Sequence, residues 1–362
     1  SLSAVNKRDE NETREYYEVK AKCLYGNIGE TTRLLTEIFT GTNFTDEKRL
    51  HEILSEARSR LEMMLPSGGN ATASMRAMSY FSRVAKHRDL TAGVGLYRLV
   101  KHLEEHFEEE KAELIRILSD LQKRIFARGR LLISLTVDAE GEKKVGELLP
   151  EFLSRLPENP CRERAALSLT KKNEGLFDAS QVQYVACAGN FRREKLPYVG
   201  TLRILKTILS YDYLWMNVRV KGGAYGVMSG FLRNGDTYFV SYRDPNLRST
   251  IEVFQGVPEY VRNFDASERD MTKYIIGTVS SLDTPLNPDA KGVRSTMAYI
   301  TGIGEEDLQR ERDEVLSADT EDIRALSPYI EAALSEGALC AIGNELVIEK
   351  EKDLFKVTES LL

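Results

Sequence analysis

Stretches with apolar residues every three to four positions alternate with shorter stretches that alternate in steps of two, so helices interspersed with strands are predicted. Residues 16–25 (Y-Y-E-V-K-A-K-C-L-Y) read as a strand stopped by Gly26 and Gly29. A short helix is expected over 31–39. Another opens at Thr45, a good N-cap residue followed by charged residues, and runs to about Met64. Residues 71–86 read as helical after Pro66-Ser67-Gly68-Gly69. The longest helix is expected over 96–126, with Leu96, Leu99, Leu103, Phe107, Leu114, Leu118, Leu121 and Ile125 as its apolar positions. Residues 131–137 (L-L-I-S-L-T-V) read as a buried strand and 143–156 as an amphipathic helix. The aperiodic stretch 158–179 reads as a connector between regions 1–157 and 180–362. Beyond it, strands are expected over 182–188, 237–242 and 338–342. Helices are expected over 197–215, 247–261, 267–282, 289–301, Glu305–Leu316 and 320–335, the last capped by Asp319 or Thr320, with 349–362 as a closing helix.

The pieces recur at an offset of about 220 residues, the mark of a duplicated unit. A strand, a polar loop, a helix and F-T-D-E-K-R-L (44–50) are matched by a strand, a loop, a helix and F-D-A-S-E-R-D (264–270). Met75-Arg76-Ala77-Met78-Ser79-Tyr80 has a counterpart in the run from Val293 to Tyr299. Both regions end on an apolar strand and a helix, 131–156 and 338–362. The first region has no counterpart of 182–236. It is therefore expected to carry an incomplete sheet, truncated at its N-terminal side, and to be part of a longer protein.

The densest chemical signal is 218–230, V-R-V-K-G-G-A-Y-G-V-M-S-G. Glycine tolerates positive φ and close backbone approach, so Gly222 and Gly223 predict a turn between two extended pieces. That turn would present Arg219 and Tyr225, six residues apart, near one end of a sheet. A permanent cation with a donor fork and a neutral phenol suit a peptide carbonyl or a developing oxyanion. The plainer alternative is a turn with a packed Tyr and a solvated Arg.

Composition narrows the class. With 362 residues, 42% apolar, 29% charged and a net charge of −6, the chain reads as an ordinary globular protein with no basic aromatic patch for nucleic acid. No apolar run approaches a membrane span. The N-terminal stretch is polar, unlike a signal or transit peptide, and Cys23, Cys161, Cys187 and Cys340 are widely spaced, as reduced structural cysteines are. An intracellular setting, cytoplasm or organelle matrix, is expected.

With R-V-K-G-G-A-Y-G (219–226), S-Y-R-D-P-N (241–246), the run from Ser280 to Pro288 and A-L-C-A-I-G-N (338–344), the second region resembles the insulinase-like (pitrilysin, M16) zinc metallopeptidases, in the branch of presequence peptidase and falcilysin. S-G-G-N-A-T-A-S-M-R-A-M-S-Y-F-S (67–82) and the long helix resemble the associated region of that branch. The resemblance implies an α+β fold of two homologous domains, each an antiparallel sheet with helices packed on it. It also implies the C-terminal, non-zinc-bearing half of an endopeptidase that degrades unstructured peptides in a closed chamber. Arg219 and Tyr225 would hold the substrate backbone and the tetrahedral intermediate, with Gly222 and Gly223 in the same substrate-binding turn. Zinc would sit in the N-terminal catalytic half, the expected partner, and the present residues alone would be inactive. The alternative is a non-catalytic binding or scaffold subunit of the same fold.

His102-Leu103-Glu104-Glu105-His106 spells H-x-x-E-H, a zinc signature when both imidazoles share a helix face. It is set aside here. Leu99, Leu103 and Phe107 mark the core stripe, which puts the imidazoles on the charged side with Glu105, Glu109 and Glu113. The window for a distal Glu holds Gln181, Val182 and Gln183. No metal ligand is assigned.

Overall fold

The computed structural model describes residues 2–6, 9–158 and 167–362. The strand-forming runs are β1 (Leu2–Asn6), β2 (Asp9–Tyr16), β3 (Glu174–Asp178), β4 (Tyr184–Asn190), β5 (Gly226–Phe231), β6 (Asp236–Tyr242), β7 (Ala338–Asn344) and β8 (Val357–Ser360). The first two pair as an antiparallel hairpin, and the other six form one sheet in the order β5-β6-β4-β7-β3-β8. The α+β class holds. The large sheet is mixed, since β3 runs parallel to both β7 and β8 while β4, β5 and β6 pair antiparallel. The two sheets are unequal among the described residues.

β7 shows why the sheet is central. Its residues A-L-C-A-I-G-N are buried except at the last position, as in a strand covered on both faces. Leu339 and Ala341 pack with Phe239, Ile204, Leu205, Ile208 and Phe254 in a core built with the later helices. Cys340 and Ile342 pack on the other face with Leu65, Ala73, Ala77, Tyr97 and Val100. The helices before residue 106 therefore close one face of a sheet made by the later residues, so 1–157 and 180–362 share a core.

A buried ion cluster fastens that face. Arg76, on the helix Gly69–Met78, donates through Nε and Nη2 to Glu174 at 2.5 and 2.8 Å and through Nη1 to Asp89 at 2.6 Å. The Tyr80 hydroxyl donates to Glu174 at 2.8 Å. Arg76, Asp89 and Glu174 are all buried. Desolvation pushes the Glu174 carboxyl upward, but the Arg76 hydrogen bonds and charge outweigh it and hold the group below the ordinary range.

Several expectations are corrected. Of the strand expected at 16–25, only Tyr16 lies in one, because 17–24 find no neighbouring strand among the described residues. Asp46, not Thr45, caps the next helix by accepting the Arg49 N–H at 3.0 Å. The stretch 71–86 splits into Gly69–Met78 and Arg83–Ala92, the latter capped by Ser82. The long helix breaks at His106 into Val94–Glu105 and Phe107–Ile125, and Phe107 turns into the core. Residues 131–137 form no strand, and 132–137 are exposed, since a strand needs a ladder partner and none is present among the described residues. The assigned connector 158–179 contains β3, while its residues 159–166, Cys161 among them, lie outside the described residues. The closing helix stops at Lys350, and Val357–Ser360 joins the sheet instead. Glu305–Leu316, β6 and the Asp319 cap stand as read.

Candidate functional site

Arg219 lies on a helix rather than on an extended piece. Trp215–Lys221 winds as a π-helix, a rare form that often marks functional positions. Val218 is buried in the core beneath it, which orients the segment. Trp215 and Arg219, four residues apart, become neighbours, and the guanidinium carbon stands 4.0 Å from the Trp215 ring centroid. At that distance the cation is held against the ring face. The same carbon is 5.7 Å from the Tyr225 ring. Among the described residues, Arg219 has no carboxylate within ion-pair distance.

The glycines make the reversal that follows. At Gly222 a Cβ would fall 2.5 Å from the Val218 carbonyl oxygen, and Gly223 has φ +82°, which side-chain-bearing residues rarely adopt. Gly223 N–H donates to Arg219 O at 2.9 Å and Ala224 N–H to Val218 O at 3.1 Å, closing the helix end. Asn246 Nδ2 donates to Gly222 O at 2.6 Å. The chain then enters β5, and Tyr225 N–H donates to both Tyr242 O and Arg243 O, at 3.0 and 3.2 Å.

Tyr225 is 66% exposed, so its phenol faces solvent rather than a core. Its ring meets Tyr242 edge-on at 5.7 Å, and Tyr242 meets Tyr184 at 5.7 Å. Asp244 sits fully buried behind this corner. It accepts from Thr250 Oγ1 at 2.7 Å and from Asn246 N–H at 2.9 Å, and its backbone exchanges hydrogen bonds with Gln183. Burial pushes its carboxyl above the ordinary range despite those donors.

The structure thus brings Arg219, Gly222, Gly223 and Tyr225 together, as the spacing predicts. It corrects the extended reading of 218–221. It also adds Trp215, Tyr242 and Arg243, which the sequence reading left out of the site. Trp215 lies one helical turn before Arg219, a signal that is legible only once the segment is known to be helical.

Residues 173–345 match the family model for the PreP C-terminal domain, and residues 1–103 match the model for the associated region of M16 peptidases of subfamily C. The chain is 37% identical over 363 residues to Protein HypA of Clostridium perfringens, covering 100% of this chain and 37% of that protein. It is 27% identical to presequence protease 1 of Arabidopsis thaliana, covering 95% of this chain and 32% of that protein. The chain belongs to the M16 peptidase family. Within that family it corresponds to a presequence-protease-like C-terminal half, and it spans about a third of the length of these relatives. An M16 inactive-domain structure from Pseudomonas fluorescens shares the fold at TM-score 0.57 and 14% identity, over 87% of this chain and 74% of its own. Pitrilysin does so at TM-score 0.53 and 12% identity, over 86% of this chain and 33% of its own.

The H-x-x-E-H run lies at the end of a helix, with its polar groups engaged by neighbouring residues. His106 is the C-cap of its helix, at φ −113°, and its ring stands 4.5 Å from that of His102. His102 Nε2 pairs with Glu110 at 2.9 Å, His106 Nδ1 bonds to the His102 carbonyl at 3.0 Å, and Glu105 pairs with Arg58 at 3.3 Å. Among the described residues no group of three or more His, Cys, Asp or Glu could hold a metal ion, and no helix is long and apolar enough to cross a membrane.

Proposed function

We propose that these residues are the C-terminal half of an M16 zinc endopeptidase that degrades unstructured peptides in a closed chamber, and that Arg219 and Tyr225 bind the substrate and stabilise the transition state. One observation carries the reading. An arginine with no carboxylate partner among the described residues and an exposed tyrosine are fixed side by side on a rigid turn at the end of a sheet. A structural arginine is ordinarily paired, as Arg76 is. An N-terminal half outside this chain would hold the zinc and supply the activated water. Within this chain the work is electrostatic. As water adds to a peptide carbonyl, negative charge grows on oxygen, and preorganised donors meet that charge without rearranging. The Trp215 face and the Gly222-Gly223 turn supply the preorganisation. The expected partners are the N-terminal half and peptides, in an intracellular compartment.

The test is steady-state cleavage of an unstructured peptide by the full-length enzyme. Tyr225→Phe and Arg219→Lys should lower kcat at an unchanged Tm, the second because an ammonium lacks the planar fork. Unaltered kcat/KM in both variants would leave the scaffold reading in its place.

A further inference from the structure

We propose that Arg243 is a second substrate-binding cation of this edge, which takes a carboxylate of the bound peptide beside Tyr225. The proposal rests on the reading that this edge binds peptide, and it names a chemistry that reading leaves open.

The register places Arg243 there. Gly226 pairs with Tyr242, so Tyr225 and Arg243 stand opposite each other one step beyond the ladder. Arg243 has φ +49°, in the left-handed region that non-glycine residues seldom occupy. Such strain persists only where the surroundings enforce it, and it clusters at ligand-binding sites. Here the next residue enforces it. Asp244 N–H donates to Gln183 O at 2.8 Å, and its carbonyl accepts from Gln183 N–H at 2.7 Å. Its carboxylate holds Thr250 and Asn246, at 2.7 and 2.9 Å.

A glycine would fit this backbone without strain, yet the position carries a long cation. Its guanidinium carbon lies 5.6 Å from the Tyr242 ring centroid, and its side chain is exposed. Among the described residues no carboxylate pairs with it. Arg219 and Arg243, linked through the neighbouring Tyr225 and Tyr242 rings, therefore place two cations at this edge on a chain whose net charge is −6. The nearby carboxylate of Asp244 is buried and taken up by its own donors. A planar guanidinium matches a carboxylate in two parallel hydrogen bonds. The carboxylate can come from an acidic side chain or from a peptide C-terminus.

The test is equilibrium binding by fluorescence anisotropy to the full-length protein, with metal chelated by EDTA so that no cleavage occurs. Three labelled peptides differ only in carboxylates. One has an internal Glu and an amidated end, one a Gln there and a free C-terminus, and one a Gln and an amidated end. Arg243→Gln should weaken binding about tenfold for whichever carboxylate peptide is recognised, and leave the uncharged peptide unchanged. The first two peptides identify the source. Arg243→Gly should show the same selective loss at an equal or higher Tm, since glycine relieves the backbone. Equal loss for all three peptides, no loss for any, or a lower Tm with unselective weakening would overturn the proposal. Tyr225→Phe turnover reports separately on the transition-state reading. A silent Tyr225→Phe with a carboxylate-selective Arg243 effect would sink that reading and leave this one standing.

Discussion

Arg76 and Arg219 are the same residue type in opposite settings. Arg76 is buried, and two carboxylates take up its donors. Arg219 is half-buried, lies on Trp215, and has no carboxylate partner among the described residues. The first joins two helices to the start of β3 and is buried away from any ligand. The second is held by an aromatic face, and no carboxylate among the described residues takes up its donors. What sets the proposed binding arginine apart is therefore its position against an aromatic face and the absence, among the described residues, of a carboxylate partner.

The largest expected effect lies on the structural side. Arg76→Met takes from the buried carboxylates of Glu174 and Asp89 their shared close cation, leaving only the longer contacts of Arg98, Lys172 and Lys86, and should destabilise the fold by about 3–5 kcal/mol in denaturant titrations. Arg219→Met should change stability by less than about 1 kcal/mol. Equal losses would break the comparison. Next comes Tyr225→Phe, which removes one exposed hydroxyl and keeps the ring. It should lower kcat about a hundredfold, roughly 3 kcal/mol, in the full-length enzyme, with no shift in the denaturation midpoint.

Acid sharpens the contrast further. Burial works against the Glu174 charge, but Arg76 wins, so the folded-state pKa lies below the ordinary 4.5. A depressed carboxyl contributes stability that is fully present above that value and is lost as pH falls through the folded pKa. Wild-type stability should thus decline below pH 4.5, by up to about 1.4 kcal/mol per unit for this group. Glu174→Gln should start lower and decline less steeply in the same acid titration. An unchanged slope would remove Glu174 from the account. A further effect is at the turn. Gly223→Ala forces a Cβ into φ +82° and should cost about 1–2 kcal/mol, with a rise in KM as Arg219 and Tyr225 lose their spacing.

Much of this was legible in the sequence, and the failures have physical causes. The helix Glu305–Leu316 and the strand Ala338–Asn344 carry their own signals, a charged first turn in one case and an unbroken apolar run in the other. Residues 131–137 carry an equally good apolar signal, but strand formation depends on a pairing partner that local sequence does not report. β3 shows the reverse. Glu174-Gly175-Leu176-Phe177-Asp178 looks like a connector, yet Leu176 is fully buried and Gly175 fits closely beneath Ile348 and Phe355, with β7 and β8 on either side. The Arg219–Tyr225 spacing was readable, while the helical turn that puts Trp215 under Arg219 was not. The β-branched Val218 and Val220 favour an extended reading, and the burial of Val218 overrides it.

The central claim is that Tyr225 acts on the transition state rather than on substrate binding or folding. The most direct measurement compares two ligands on wild type and Tyr225→Phe of the full-length enzyme: a substrate peptide, and the same peptide with a tetrahedral phosphinic group at the scissile position. Transition-state stabilisation predicts that the variant loses about a hundredfold in affinity for the tetrahedral mimic and little for the substrate. Equal changes for both ligands, or none for either, would contradict it.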